Sequence, residues 1–165
     1  MADAPSRSRV SAGILLFRQE GAGIEVLLGH PGGPYFKDKD AGAWSIPKGQ
    51  VQDGEELWAV AVREFGEETG HVIGSNARTI ELGSIKQRGG KRVHAWAVEG
   101  TLDPADAWSN TFEMEWPPRS GIVIKVPELD RVAWFTPAAA QVAINPAQAS
   151  LVELLLEALA AEAAE

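Results

Sequence analysis

Apolar residues come in short runs along the chain, and the period of each run predicts an element. RVSAGILLFR (9–18) is rich in branched residues and predicts a strand; QEGAG is turn chemistry, and IEVLLGH (24–30) predicts a second strand, so the pair reads as a hairpin. PGGPYFKDKDAG is a Gly/Pro loop of a length that goes with function, and AWSIPKGQV is extended around Pro47. The period then changes. At ~100° per residue, Leu57, Trp58, Ala61, Val62 and Phe65 form one apolar stripe of a helix. Asp53 with Glu56 three positions on makes a capping box for it, and Gly70 ends it. HVIG (71–74) and ARTIELGSIKQ (77–87) are strand-like, and KQRGGKRVHAWAVEG (86–100) predicts a hairpin turning at Gly89 and Gly90. Residues 103–121 read as irregular. RVAWF (131–135) is a strand, Thr136-Pro137 opens a short helix, and Asn145-Pro146 opens a longer one carrying Leu151, Leu154, Leu155 and Leu156. The pattern predicts an α+β fold, an α/β/α sandwich with a mixed sheet. Residues 1–7 read as a disordered polar tail and 8–165 as a single domain.

Composition narrows the picture. Apolar residues make up 45%, enough for a core, and there is no cysteine, which removes disulfides, thiolate metal sites and thiol nucleophiles. The start lacks a signal-peptide run and no stretch reaches the ~20 apolar residues of a membrane helix, so a cytoplasmic protein with no membrane partner is expected. A net charge of −8 disfavours long nucleic acid as partner, while a small anion still binds where local cations or metal ions offset that charge. Monomer and homodimer stay open.

The helix carries the chemistry. Glu64, Glu67 and Glu68 lie together beside the apolar stripe, at i, i+3 and i+4. Each such like-charge pair costs a few tenths of a kcal/mol on an isolated helix. Carboxylates held this close raise a pKa or bind a cation, and Mg²⁺ is the hard ion that suits oxygen ligands. Gly66 inside the helix costs ~1 kcal/mol against Ala, which predicts a close neighbour there. Taken alone, three glutamates at this spacing are more often a wet acidic face.

The wider pattern changes that balance. Gly49, five residues, Glu55, seven residues, then Arg63-Glu64-Phe65-Gly66-Glu67-Glu68-Thr69-Gly70 resembles the signature of the Nudix hydrolases. Its seven fixed residues would match by chance on the order of once in 10⁸. The pattern departs at His71, where the family has an aliphatic residue; Val72 is expected to take the apolar role. The resemblance implies the Nudix fold, a mixed sheet flanked by the signature helix and a C-terminal helix. It implies hydrolysis of a pyrophosphate bond in a nucleoside diphosphate linked to another moiety, with Mg²⁺ (or Mn²⁺). It also implies Glu64, Glu67 and Glu68 as metal ligands, one of them a base, with the Gly49 carbonyl joining them. Arg63 would orient a glutamate and Glu55 would support the loop-to-helix turn. A further acid outside the signature is implied too. Glu128, before the late strand, matches its position, and Glu113 and Glu115 are its rivals.

Substrate cues are weaker. Lys48, Lys86, Arg88, Lys91 and Arg92 are cations that could meet phosphate, and Lys48, beside the metal loop, is the first choice. Tyr35, Phe36, Phe112 and Trp116 sit in loop-like segments and could stack on a base, whereas Trp58 and Trp134 read as core. His30, His71 and His94 are not at metal-ligand spacing. The expectation is a nucleotide pyrophosphohydrolase acting on a nucleoside triphosphate or dinucleoside polyphosphate. The alternatives are a diphosphoinositol polyphosphate hydrolase and a non-catalytic nucleotide-sensing module; mRNA decapping is disfavoured by the acidic balance.

Overall fold

A computed structural model of the chain describes residues 9–165. The tail expected at 1–7 lies outside the described residues. The first two runs form the hairpin: β1 (Val10–Glu20) and β2 (Gly23–Pro31) are antiparallel, with Phe17 opposite Val26. The middle of β1 is apolar on successive positions because both its faces are covered. Ala12, Ile14 and Leu16 face one buried cluster, and Leu15 and Phe17 face the other.

The extended piece around Pro47 ends in β3 (Lys48–Gln50), which pairs antiparallel with Ser11–Gly13 of β1. Helix α1 (Leu57–Thr69) follows at once. Its buried Val60, Ala61 and Phe65 pack under β1 with Leu27, Val98 and Val132. Burying a side chain such as Phe65 contributes about 2–3 kcal/mol. Strands β4 (Thr79–Lys86) and β5 (Arg92–Glu99) form the second hairpin, turning through Gly89 and Gly90 as the sequence predicts, and β5 runs parallel to β1. Strands β6 (Thr111–Glu115) and β7 (Val123–Pro127) make a separate two-stranded ribbon, and β8 (Leu129–Phe135) closes the main sheet against β2. The main order is β4-β5-β1-β2-β8, with β3 beside β1. Helices α2 (Pro137–Ala143) and α3 (Ala149–Ala163) cover the other face, where Ala140, Leu151, Val152 and Leu155 are buried. The Thr136 hydroxyl caps α2, and Asn145 caps a 3₁₀ turn leading into α3. The mixed sheet between helical layers is the predicted α+β sandwich.

Several expectations are corrected. Helix α1 starts at Leu57, and no side chain caps its first turn. Gly54, at φ +81°, swings the chain round after Asp53, and the turn is held instead by the Glu55 carboxylate, which accepts the Gln52 N–H at 2.9 Å. Residues 71–74 form no strand. Val72 is 81% exposed, so the apolar role falls to Ile73, while the His71 ring stands edge-on to Phe65 at 6.2 Å. No close neighbour explains Gly66: a side-chain carbon there would meet only the His71 carbonyl, at 3.8 Å. The close approach is at Gly70, whose φ of 76° ends the helix and against which the Trp108 indole lies. Residues 103–121 are not wholly irregular, since they contain β6, whose Phe112 and Met114 alternate with polar residues and continue the period to Trp116 just beyond it.

Candidate active site

The signature segment places Glu64 and Glu68 on the side of α1 that faces β3. Glu64 and Glu68 are one turn apart and line one cavity of about 490 Å³ together with Lys48, Gly49 and Glu128. Glu64 lies directly on the β3 backbone. A side chain at position 49 would collide with the Glu64 carboxyl group, so the approach requires glycine. Glu68 is buried, and its Oε2 accepts the Lys48 backbone N–H at 2.9 Å. Glu128 enters from the junction of β7 and β8, where its N–H donates to the Asn110 carbonyl and its own carbonyl accepts from Gly32. Glu113 and Glu115 sit on the β6 ribbon and do not line the cavity.

The acids disturb one another. Burial first, and then the charges of Glu64 and Glu128, push the Glu68 carboxyl up to about 8, while the Lys48 ammonium pulls it the other way. Burial and then the neighbouring Glu67 charge raise Glu64, opposed by Arg63. Glu128, though exposed at the cavity mouth, is raised by the protein around it and lowered by Lys48. Glu67 is exposed and lies outside the cavity lining. Arg63 lies among the acids. It donates to Glu55 Oε2 at 2.5 Å and stands 3.6 Å from Glu64 Oε1, and its hydrogen bond holds the Glu55 carboxyl below its ordinary value.

These residues fit a divalent cation. Three hard-oxygen donors share one cavity and burial has raised all three, a load that a cation among them relieves; Lys48, Arg63, Arg9 and Lys91 line the same cavity. Among the described residues no three acids yet converge on one ligating point, so the donors face a common space rather than forming a closed cage.

The other expected residues divide. Phe36 lines an adjoining cavity of about 260 Å³ with Lys48, Glu68, Glu128, Asn145 and Gln148. Tyr35 and Trp116 instead pack edge-to-face on each other at 5.0 Å and line neither cavity. Phe112 lies on the β6 ribbon. Arg88 lines a third cavity, which shares Gln87 and Lys91 with the carboxylate cavity. Lys86 and Arg92 line none of the three. Trp58 and Trp134 pack against the α1-side core as expected. Arg9, Gln52 and Gln87 line the carboxylate cavity and went unnoticed in the sequence. Arg9 reaches it through the pairing of β1 with β3 and with β5, which no local signal announces.

Comparison with known proteins points the same way. The family model of the NUDIX domain matches residues 7–155. A protein named Nudix hydrolase 5 from Arabidopsis thaliana is 39% identical over 61 residues, 37% of this chain and 18% of that protein. An RNA pyrophosphohydrolase from Novosphingobium aromaticivorans is 40% identical over 62 residues, 38% of this chain and 34% of that one. The matched stretches thus span about a third or less of these relatives' lengths. Among solved structures, a C. elegans Ap4A hydrolase binary complex superposes with a TM-score of 0.64 at 22% identity, covering 92% of this chain and 98% of that one, which shows a shared fold. Among the described residues no helix is long and apolar enough to cross a membrane.

Proposed function

The chain belongs to the NUDIX family, and from that premise we propose that it hydrolyses a pyrophosphate bond in a nucleoside diphosphate linked to a second group. The unit that does so is a single domain over residues 8–165. The observation that carries the reading is the meeting of Glu64, Glu68 and Glu128 in one cavity beside Lys48. Those carboxylates, with the Gly49 carbonyl and Glu67 at the rim, are the residues that would hold magnesium or manganese. Such an ion, when bound, neutralises phosphate charge and lowers the pKa of bound water.

The remaining chemistry belongs to the chain. Without a cation, the Glu68 carboxyl keeps its proton up to about pH 8 and releases it as a cation arrives, so metal binding is proton-coupled. Arg63 holds Glu64 and Glu55 in place rather than meeting substrate. The Lys48 ammonium, poised between Glu68 and Glu128, is the cation nearest the scissile linkage. Phe36 supplies the aromatic face for a base, a role its position favours over Tyr35 and Trp116. Nucleoside triphosphates and dinucleoside polyphosphates are the substrates we favour. The relatives named above are, by their names, an RNA pyrophosphohydrolase and an Ap4A hydrolase, and Ap4A is a dinucleoside polyphosphate.

The test is a panel of nucleoside di- and triphosphates, dinucleoside polyphosphates and sugar nucleotides, incubated with Mg²⁺ or with EDTA and resolved by chromatography. Mg²⁺-dependent cleavage at a phosphoanhydride is expected. Absence of turnover for every compound at neutral and alkaline pH would refute the reading and leave a binding module.

A further inference from the structure

The carboxylate cavity does not end at the acids. Its far wall is built by the start of β1 and the β4–β5 turn, and that wall is cationic. Arg9 and Lys91 line it together with Gln87. Beyond Gln87 and Lys91 opens the third cavity, about 600 Å³, where Arg88 stands. Among the described residues none of Arg9, Arg88 or Lys91 has an acid within ion-pair distance, whereas Arg18, Arg63, Arg78 and Arg131 are all paired. Other described cations, Lys86, Arg92, Arg119 and Lys125 among them, also lack such a partner, so what sets this face apart is the gathering of three cations on one continuous wall in a chain of net charge −8.

Arg9 is also held in place. Its carbonyl accepts the Arg92 N–H at 2.8 Å, and Val10 continues in parallel register with Arg92, which ties its backbone to β5. Its guanidinium lies over Gly90, where any added side-chain carbon would come within 2.8 Å of Nη1. Gln87 and Lys91 close the turn through the Gln87 N–H, which donates to the Lys91 carbonyl at 2.6 Å. The wall is thus a turn whose glycine leaves room for an arginine fork, and such a fork matches phosphate oxygens.

Building on the hydrolase reading, we propose that Arg9, Lys91 and Arg88 form a phosphate rail. It takes the phosphates beyond the scissile linkage and selects a linear chain of three or more phosphates over a two-phosphate linkage such as a nucleoside diphosphate sugar. A two-phosphate substrate is spanned by Lys48 and the carboxylate end of the cavity and reaches little of the rail. A longer chain runs on past Gln87. Each charge-assisted contact to a phosphate oxygen is worth about tenfold in affinity.

The experiment compares kcat/KM for a nucleoside triphosphate and for a nucleoside diphosphate sugar in the native protein, in Arg9→Ala/Lys91→Ala and in Arg88→Ala. A native preference for the triphosphate is expected. It should fall about tenfold or more in the double variant, through KM rather than kcat, and by a smaller factor in Arg88→Ala. Arg9→Lys should recover part of the preference, and Gly90→Ala, which displaces the fork, should lose it. A preference that stays the same in the double variant overturns the proposal, and so does a native preference for the sugar nucleotide. Binding of inorganic tripolyphosphate and of pyrophosphate in EDTA, by calorimetry, separates this from the underlying reading. If no compound is hydrolysed, the hydrolase assignment fails. The rail then stands if tripolyphosphate binds more tightly than pyrophosphate and loses that margin in the double variant, and falls if it does not.

Discussion

Replacing Glu68 by Gln should make the metal-free protein more stable and the enzyme slower. Glu68 is buried, and in the folded chain its carboxyl titrates at about 8 against an ordinary value of 4.5. Between those two values the unfolded chain has lost the proton and the folded chain has kept it. Stability therefore is full below pH 4.5 and falls as pH rises towards 8, at about 1.4 kcal/mol per pH unit from this group alone. Across the window the loss is on the order of 5 kcal/mol. Glu64 and Glu128, also raised, act with the same sign. Gln keeps the shape, never ionises, and its side-chain oxygen still accepts the Lys48 N–H. Over this window the folded carboxyl is itself protonated, so a neutral acceptor replaces a neutral acceptor and little is given back. The net gain at pH 8 in EDTA is then about 4 kcal/mol, or roughly 8–16 °C in Tm.

The assay is urea unfolding, followed by tryptophan fluorescence in EDTA at pH 5, 6.5 and 8, for both proteins. The curves should nearly coincide at pH 5 and diverge by pH 8, with the variant above. Added Mg²⁺ should stabilise the native protein by mass action and the variant far less. Turnover should drop at least ~100-fold in the variant, since a metal-holding charge goes while the shape stays. Parallel stability curves would show that Glu68 is not under the electrostatic load assigned to it. An unchanged rate would show that the helix cluster is not the metal site.

Lys48→Ala should raise KM about tenfold with a smaller effect on kcat. It should also move the acid limb of the pH–rate profile to higher pH, because its charge holds Glu68 and Glu128 down; loss of Mg²⁺ stabilisation in that variant would contradict its role. Glu128→Gln should cut the rate by at least ~10-fold, while Glu113→Gln and Glu115→Gln stay within about twofold of the native protein; steady-state rates decide, and equal losses in all three would remove Glu128 from the site. Gly49→Ala should push the Glu64 carboxyl off β3, costing about 1–3 kcal/mol in urea unfolding and most of the Mg²⁺-dependent rate; a fully active variant would mean that the Glu64 position is unimportant.

What the sequence announces, and what it withholds, follows from where each force acts. Glu64, Glu67 and Glu68 were legible because their conflict is local: the spacing itself puts like charges on one face, before any tertiary contact forms. Lys48 was legible for the same reason, being one residue from Gly49. The split between Glu68, buried and raised, and Glu67, exposed, was not, since it depends on which side of α1 meets β3. Arg9 is the clearest loss: it precedes a strand whose partners lie some forty and eighty residues on, and it takes the registers of Ser11 with Gln50 and of Val10 with Arg92 to carry it to the cavity. The β6–β7 ribbon shows the opposite failure. Its alternation was present in Phe112 and Met114, but the ribbon stands off the main sheet, so it lacks the long apolar face by which strands are noticed. His30, not at metal-ligand spacing, has structural partners. Its buried ring bonds Asp130 at 3.0 Å and the Lys39 carbonyl at 2.6 Å, which pins the loop after β2 to β8. That loop carries Phe36 towards the cavity, so a polar group that reads as idle in sequence sets the position of the surface proposed to hold the base.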